Sequence, residues 1–317
     1  MKKLTALLAF LLLGVPAARA QLTANFVDVG QGDSIYIELP NGHNALIDGG
    51  PNGDSIRNFL KAKGVTTIDH VVLTHPHSDH YIGLLEVFKK FQVNEFYDTK
   101  MDNTDAQGDN TLRQLAQAEP GCKTIYPEPG DQLNWDRNVT VKVLNSCTSP
   151  MSAKDNTPIN NCSIVLRLYY NGSAILLMGD AESEVENAMM RIFKSGLNST
   201  YLKVGHHGSR YSTSAKFLER VQARVAIISV GKDNKFGHPH KETMDRLVAA
   251  GLQVFTTLDG TQTLTIPAPK KGVEPVVNGE IELPVVYTPA PEFRMQDYPY
   301  DPADAAAMRQ LRGASAE

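Results

Sequence analysis

The stretch Thr74-His75-Pro76-His77-Ser78-Asp79-His80 decides how this 317-residue sequence is interpreted, because it gathers three histidines and an aspartate within six residues. Imidazole and carboxylate groups are the ligands of hydrolytic zinc and manganese sites. The apolar run 71–73 just before it predicts a buried strand that ends where the histidines begin. A helix would send residues two apart to different faces, so we predict an irregular loop that turns all four side chains toward one metal site.

Further residues of ligand type follow two more short apolar runs. Asp180 comes after Leu176-Leu177-Met178-Gly179, and the pair His206-His207 comes after Leu202-Lys203-Val204-Gly205. Strand ends suit a site because the sheet holds each residue in place while the loops let the side chains converge. A histidine-rich surface loop would leave this recurrence unexplained, so a metal site is the favoured interpretation.

Several other short segments resemble those of a known family. They are, in chain order, Phe26-Val27-Asp28-Val29-Gly30-Gln31-Gly32-Asp33-Ser34, Leu46-Ile47-Asp48-Gly49-Gly50, Asn160-Asn161-Cys162-Ser163, Gly179-Asp180, the His206 segment and Phe236-Gly237-His238-Pro239. With the histidine motif, they resemble the metallo-β-lactamase-fold superfamily of binuclear metallohydrolases, and most closely the hydrolase domain of the ComEC competence DNA-uptake family. The resemblance covers residues 22 to 266 and implies an α/β fold, the αββα sandwich. Short strands that alternate with helical patterns in both halves agree with it.

The resemblance also implies two divalent metal ions, zinc or manganese, held by six residues. The first metal takes His75 and His77, the second takes Asp79 and His80, Asp180 bridges both, and His206 completes the second site. Family members with a full set supply a third histidine to the first metal, and that position falls here at Asn160 or Asn161. An amide oxygen is a harder and weaker ligand than imidazole, which makes manganese a serious rival to zinc.

Other residues are candidates for supporting roles. Asp79 is also a candidate to orient the attacking water, and His238 to contact a scissile phosphate or protonate the leaving oxygen. If 205–208 is extended, His207 points away from the metals and contacts substrate; with the register shifted by one, it replaces His206 as the ligand. The other candidate substrate-binding residues are Ser209, Lys232 and Asn234. The carboxylates that could support the metal-binding histidines, or simply cap turns, are Asp28, Asp33 and Asp48.

The implied function is that of a secreted phosphodiesterase or nuclease that attacks DNA or a related phosphodiester through a metal-bridging hydroxide. The formal net charge is −4, yet residues 190–246 hold eleven Lys/Arg against four Asp/Glu. A basic surface beside a metal site suits a polyanionic substrate. The alternative is a hydrolase of a small acyl substrate, such as a lactone, thioester or β-lactam, because the fold alone does not choose. A non-catalytic protein that binds nucleic acid or cell-wall polymer is a third possibility.

The ends of the chain differ in character from its middle. Residues 1–20 are typical of a signal peptide, with two lysines at the start, an apolar run over 4–15 and the cleavage pattern Ala18-Arg19-Ala20. No later segment holds eighteen consecutive apolar residues, so we expect an exported protein, periplasmic or extracellular, with no membrane-spanning segment after the signal. Residues 21–266 form the predicted hydrolase domain. Repeated prolines predict an extended tail over 267–317.

A few further expectations concern single residues and one loop. Of the three cysteines, Cys122 and Cys147 are the favoured disulfide pair, because Cys162 lies in an apolar strand. The polar segment 98–111 is interpreted as a mobile loop near the site. Among the remaining histidines, His43 and His70 are interpreted as structural and His240 as exposed to solvent.

Overall fold

Residues 21–106, 108–147, 151–152 and 159–269 are described by the structure, a computed structural model. The first sheet has seven strands in the order β16-β1-β2-β3-β4-β5-β7. Its strands are β1 (Leu22–Phe26), β2 (Ile35–Glu38), β3 (Asn44–Ile47), β4 (Thr67–Val72), β5 (Gln92–Tyr97), β7 (Lys123–Ile125) and β16 (Gln262–Ile266). The last strand returns to pair antiparallel with the first, with Leu22 opposite Ile266. The predicted signal peptide and the predicted tail beyond 269 lie outside the described residues.

The second sheet also has seven strands, in the order β15-β14-β13-β12-β11-β9-β8. Its strands are β8 (Gln132–Asp136), β9 (Val139–Asn145), β11 (Val165–Tyr170), β12 (Ser173–Leu177), β13 (Tyr201–Lys203), β14 (Val225–Ile228) and β15 (Gln253–Thr256). A short parallel pair joins β6 (Met101–Asp102) to β10 (Met151–Ser152). The helices are α1 (Gly53–Ala62), α2 (Ser78–Lys90), α3 (Gly108–Ala118), α4 (Ser183–Phe193), α5 (Ala215–Val221) and α6 (Lys241–Ala249). None of these helices is long and apolar enough to cross a bilayer.

Alternating side chains build three apolar layers. Residues two apart on a strand face the same side, so Ile175 and Leu177 enter the core between the sheets while Leu176 faces the opposite way. That opposite face of the second sheet packs against α4, α5 and α6. The outer face of the first sheet packs in the same manner against α1, α2 and α3. The predicted α/β fold, an αββα sandwich, is confirmed.

The segment 98–111, expected to be a mobile loop near the site, is not a loop throughout: its described residues, 98–106 and 108–111, include β6 and the start of α3. Arg113 on α3 anchors these residues. The Arg113 guanidinium is 2.7 Å from carboxylate oxygens of Asp98 and Asp109, and it donates to the carbonyl of Met101. Asn103 donates to the carbonyl of Pro76 at 2.9 Å, which ties this segment to the histidine loop.

The disulfide joins Cys147 to Cys162, so the favoured pairing of Cys122 with Cys147 is wrong. Cys162 does not lie in a strand: it ends a short 3₁₀ helix (Ile159–Cys162) beside the end of β9, with the two Cα atoms 5.0 Å apart. Cys122 remains free and packs against the apolar layer of α1, α2 and α3, on the far side of the first sheet.

His240 is buried, with 7% exposure, and the expectation that it faces solvent is wrong. Its Nδ1 atom accepts a hydrogen bond from the backbone N–H of Arg210 at 3.1 Å. The backbone N–H of His240 donates to the carbonyl of Gly208. His240 therefore braces the chain beside the His206-His207 pair.

Candidate metal centre

The strand ends of both sheets bring the ligand-type residues together. The histidine loop follows β4, Asp180 follows β12, and the 205–208 turn follows β13. β4 runs parallel to β3 and β5, and β12 runs parallel to β13, so these ends lie at one edge of each sheet. A backbone hydrogen bond from Ile164 to the carbonyl of Thr74 joins the two edges.

Asp180 is the hub of the cluster. Four imidazole Nε2 atoms surround its Oδ2 atom, at 3.4 Å for His80 and His207 and at 3.8 Å for His75 and His206. The backbone N–H of Asp180 donates to the hydroxyl of Ser163 at 3.0 Å, which fixes the turn that carries it. Asp180 is 2% exposed, so this carboxylate faces the histidines in a site with little water.

The chain at 205–208 is not extended. His206 and His207 both adopt left-handed backbone conformations, with φ of 48° and 52°. Side chains other than glycine seldom adopt this conformation, and such strain is concentrated at functional sites. The two consecutive left-handed residues turn both rings toward Asp180, where an extended chain would have turned them apart. Both histidines are therefore placed as metal-binding candidates.

One set of donors comprises Asp79, His80, His207 and Asp180. The Nε2 atom of His207 lies 3.4 Å from the Oδ2 atoms of Asp79 and Asp180, and the Nε2 atom of His80 lies 4.0 Å from Asp79. Four ligands held about 2.1 Å from a tetrahedral zinc ion are about 3.4 Å apart. The buried Nε2 atoms of His80 and His207 have no hydrogen-bond partner among the described residues. These atoms fit the coordination shell of a divalent cation.

A second set comprises His75, His77 and Asp180. The Nε2 atom of His75 lies 3.0 Å from the Nδ1 atom of His77, which is close enough for both to bind one ion. The Nε2 atom of His206 lies 3.8 Å from the Oδ2 atom of Asp180, and its Nδ1 atom lies 3.5 Å from the amide nitrogen of Asn160.

The two asparagines at the third-histidine position differ. Asn161 is engaged at both ends, since it accepts from the N–H of Glu182 and donates to Glu184. Asn160 donates to the carboxylate of Glu182, but its buried Oδ1 atom has no partner within the described residues. Asn160 is therefore the one of the two whose carbonyl oxygen is free to bind an ion.

Outer contacts fix the orientation of the rings, as is usual around metal-binding histidines. Asp48 accepts from His80 Nδ1 at 2.8 Å and from the hydroxyl of Thr74 at 2.7 Å. His207 donates from Nδ1 to the carbonyl of Ser229 at 2.9 Å, which leaves Nε2 for the site. The Oε1 atom of Glu182 lies 3.2 Å from the Nδ1 atom of His206, so the outer nitrogen of this ring also has a partner. Of the carboxylates expected to support the histidines, Asp48 lies in such a contact.

The other two expected supporting carboxylates lie in different settings. Asp33 is buried, with one oxygen 2.6 Å from Lys203 Nζ and the other 3.5 Å from His207 Nδ1. Lys203 is fully buried at the end of β13. Asp28 is exposed and accepts from the N–H of Gly30, as a turn carboxylate does. Lys203 was not singled out from the sequence, although a lysine inside the apolar run 202–204 is a signal that it has a buried partner.

Opposing charges divide the histidines into two electrostatic groups. Burial disfavours charge on His80 and His207, but the carboxylates, Asp180 first, outweigh it and raise the pKa of His207 to about 10 and that of His80 well above its usual value. Burial and the nearby His80 lower the pKa of His75 well below its ordinary range. The pKa of Asp180 lies well below its ordinary value, because the surrounding histidines outweigh its burial. The carboxylates of the cluster thus favour positive charge beside them, and a bound divalent cation would supply that charge.

The residues expected to contact substrate differ in exposure and in their distance from the cluster. His238 lies at the cluster, with its ring centre 5.4 Å from that of His206, and burial and the neighbouring His207 lower its pKa to about 2. Asn234 holds this loop, because it donates to the carbonyl of His238 and accepts from its N–H. Ser209 is buried, and Lys232 is exposed.

Comparison with known proteins agrees with the fold and the motifs. Residues 27–122 match the family model described as the metallo-beta-lactamase superfamily. The chain is 31% identical over 268 residues to ComE operon protein 3 of Bacillus subtilis, an alignment that covers 78% of this chain and 33% of that protein. It is 29% identical over 252 residues to Competence protein ComA of Neisseria gonorrhoeae, covering 77% and 32%. The chain thus spans about a third of the length of these curated relatives.

Two solved structures share the fold at low sequence identity. CmlA, a diiron β-hydroxylase from Streptomyces venezuelae, is 15% identical with a TM-score of 0.52, over 79% of this chain and 55% of that one. Tm1679, a metal-dependent hydrolase of the β-lactamase superfamily, is 11% identical with a TM-score of 0.51, over 78% and 99%. At such identities the likeness is one of fold alone. The family model, the competence relatives and this fold support a metallo-β-lactamase-fold metallohydrolase that is similar to the ComEC-like competence proteins.

Proposed function

We propose that this protein is an exported, metal-dependent phosphodiesterase that cleaves DNA or a related phosphodiester. The observation that carries the proposal is the pair of donor sets that share Asp180, with four imidazole nitrogens within 3.8 Å of one carboxylate oxygen. Such a shared carboxylate suits two neighbouring cations, which are the usual means of in-line displacement at phosphorus. The export part of the proposal rests on the signal-like pattern of residues 1–20.

The donor sets divide the residues between two divalent ions, zinc or manganese. The first ion would be held by His75, His77 and Asp180, with His206 as the third imidazole and Asn160 as a weaker oxygen donor. The second would be held by Asp79, His80, Asp180 and His207. The sequence-based assignment gave His206 to the second ion. Here His206 belongs to the first ion, and His207 replaces it as a ligand of the second. When bound, the two cations would polarise the phosphoryl oxygen and lower the pKa of the attacking water.

The protein's own groups would then position the reactants. Asp79, whose pKa is held below its ordinary value because His80 and His207 outweigh its burial, stays ionised and would accept a hydrogen bond that orients the attacking water. His238 stays neutral, since its pKa is lowered to about 2. A neutral imidazole donates one hydrogen bond, so His238 is better suited to hold a phosphoryl oxygen than to deliver a proton.

The competing function is hydrolysis of a small acyl substrate such as a lactone, thioester or β-lactam. Basic residues are concentrated in 190–246, which hold eleven Lys/Arg against four Asp/Glu. A phosphodiester brings negative charge that this segment would attract, whereas a neutral acyl substrate gains nothing from it. The charge distribution therefore favours the phosphodiester.

The two functions separate in a substrate panel. The metal-loaded protein is assayed on bis-p-nitrophenyl phosphate, single- and double-stranded DNA, a chromogenic lactone, a thioester and a chromogenic β-lactam. We expect turnover of the phosphodiesters, with His238→Gln lowering kcat by about 10²-fold, the lower end for a positioned catalytic group. Selective turnover of an acyl substrate, with all phosphodiesters untouched, would contradict the proposal. DNA bound equally well with and without chelator and never cleaved would instead favour a binding protein.

A further inference from the structure

A basic cleft lies between α4 and α5, outside the metal centre. It has a volume of about 280 Å³ and is lined by Asn187, Met190, Arg191, Lys216 and Arg220. Residues three and four apart on a helix share a face, so the α4 residues form one wall and the two α5 cations form the other. All three cations are exposed, and no acidic side chain lines the cleft.

Within the described ranges, no carboxylate lies within ion-pair distance of Arg191, Lys216 or Arg220. On α4, Glu186 is buried, and its carboxylate accepts hydrogen bonds from the N–H groups of Thr213 and Ser214. Glu219 is exposed on α5 but does not line the cleft. The cleft thus presents uncompensated positive charge on a chain whose formal net charge is −4.

The same contact fixes the cleft relative to the metal centre. The carboxylate of Glu186 on α4 accepts a hydrogen bond from the backbone N–H of Ser214, the residue just before α5, so this contact joins the two helices. Glu182, which contacts His206, precedes α4 directly. With a rise of 1.5 Å per residue, the cleft begins roughly 8 Å along the chain from Glu182 at Asn187, and it ends at Arg191 roughly 6 Å further on. Its floor is the buried Met190, which belongs to the rigid core of this helical layer.

We propose that this cleft binds the backbone of a phosphodiester chain, one to three phosphates away from the bond that is cleaved. Cations in a groove that follows the strand are how proteins hold single-stranded nucleic acid without reading its sequence. An isolated phosphodiester monomer is too short to reach from the metal centre to the cleft. The cleft would therefore favour polymers over small phosphodiesters by binding energy alone. This inference rests on the proposed phosphodiesterase function.

The test measures binding separately from cleavage. The metal-loaded protein is titrated into a fluorescent, nuclease-resistant phosphorothioate 20-mer, and anisotropy is followed at several salt concentrations. In the variant R191A/K216A/R220A we expect at least tenfold weaker binding. We also expect the slope of log K against log[salt] to fall by about 2, since each neutralised contact with a single strand contributes about 0.7. The matched control K61A/K89A/K90A removes three exposed cations from α1 and α2 and should bind as the wild type does.

Turnover of bis-p-nitrophenyl phosphate separates failure of this inference from failure of the proposed function. The triple variant should hydrolyse this small substrate at the wild-type rate. If the wild type hydrolyses nothing, the proposed function fails, whereas the binding titration still tests the cleft. Equal losses of DNA binding in the two triple variants, no loss in the cleft variant, or equal binding of a polyglutamate of matched charge would overturn the cleft assignment. If the triple variant does not fold, the single change R191E on the exposed face of α4 gives the same titration.

Discussion

His206 and His207 are adjacent in sequence yet face different donor sets around Asp180. Changing either to glutamine removes one imidazole from one set while the other set stays complete. We expect each variant to lose one of two equivalents of tightly bound metal, measured by equilibrium dialysis with elemental analysis. His43→Gln, at an exposed position, is the matched control and should retain both equivalents. Loss of metal in only one of the two site variants would show that a single histidine of the pair binds an ion.

Lys203 and Asp33 form an ion pair that is almost completely buried below the site. Removal of one charge leaves the other unpaired in a medium that does not solvate it, at a cost of about 3–5 kcal/mol. We therefore expect Lys203→Met to lower the free energy of unfolding by about that amount, measured by urea denaturation. The double variant Lys203→Met/Asp33→Leu should recover most of the loss, because no isolated charge remains. A single variant as stable as the wild type would mean that water reaches the pair.

The sequence revealed the residues of this site more readily than their geometry. The histidine motif and Asp180 are recognisable because ligand-type residues follow apolar runs. The left-handed conformations of His206 and His207 are imposed by tertiary contacts on residues that carry no glycine-like signal. For that reason the side to which each ring turns could not be read from the sequence. Lys203 escaped notice because its meaning depends on Asp33, 170 positions earlier.

Helix α2 carries Asp79 and His80 in its first turn, and its position depends on a close backbone contact. A Cβ atom on Gly83 would lie 1.8 Å from the carbonyl oxygen of Gly49, which cannot move aside as a flexible side chain can. We expect Gly83→Ala to cost about 1–3 kcal/mol of stability, as overpacking does, and to weaken metal binding by displacing Asp79 and His80. Unfolding and metal titrations measure both effects.

The control for that change is Gly196→Ala. A Cβ atom there would meet its nearest neighbour, in Phe193, at an ordinary 3.6 Å. This variant should keep both stability and metal affinity near wild-type values. If Gly83→Ala kept wild-type stability and metal affinity, α2 could shift without disturbing the metal centre. The position of the helix would then not determine metal binding.

Most elements followed from local patterns, and the exceptions have long-range causes. Apolar periodicity and turn signals predict a helix over 215–221 and a strand over 262–266, and the structure has α5 and β16 at those positions. Local pattern likewise predicts a helix over 82–91, just beyond His80, but α2 starts earlier, at Ser78, since Asp79 favours a helical first turn. The strand and the helix start within 98–111 could not be read from local pattern, because their anchor, Arg113, lies outside that segment. The disulfide partner of Cys147 likewise depended on where the 3₁₀ helix docks.

At the scale of the whole molecule, two sheets of seven strands hold the site where their edges meet. The first half supplies the histidine loop and Asp79, and the second half supplies Asp180 and the His206-His207 pair. Neither half has a complete donor set for the second ion. Bound cations would therefore be held by residues of both halves, and their binding would be coupled to the packing of one sheet against the other.

Hydrolysis of phosphodiesters at a two-metal site around Asp180 can be measured by titrating metal-free protein with manganese or zinc. The hydrolysis of bis-p-nitrophenyl phosphate is followed in the wild type and in Asp180→Asn. We expect a rate that rises to a plateau at two equivalents of metal, and a variant at least about 10²-fold slower, because the shared carboxylate is lost. No hydrolysis at two equivalents, or a variant as active as the wild type, would contradict the proposal.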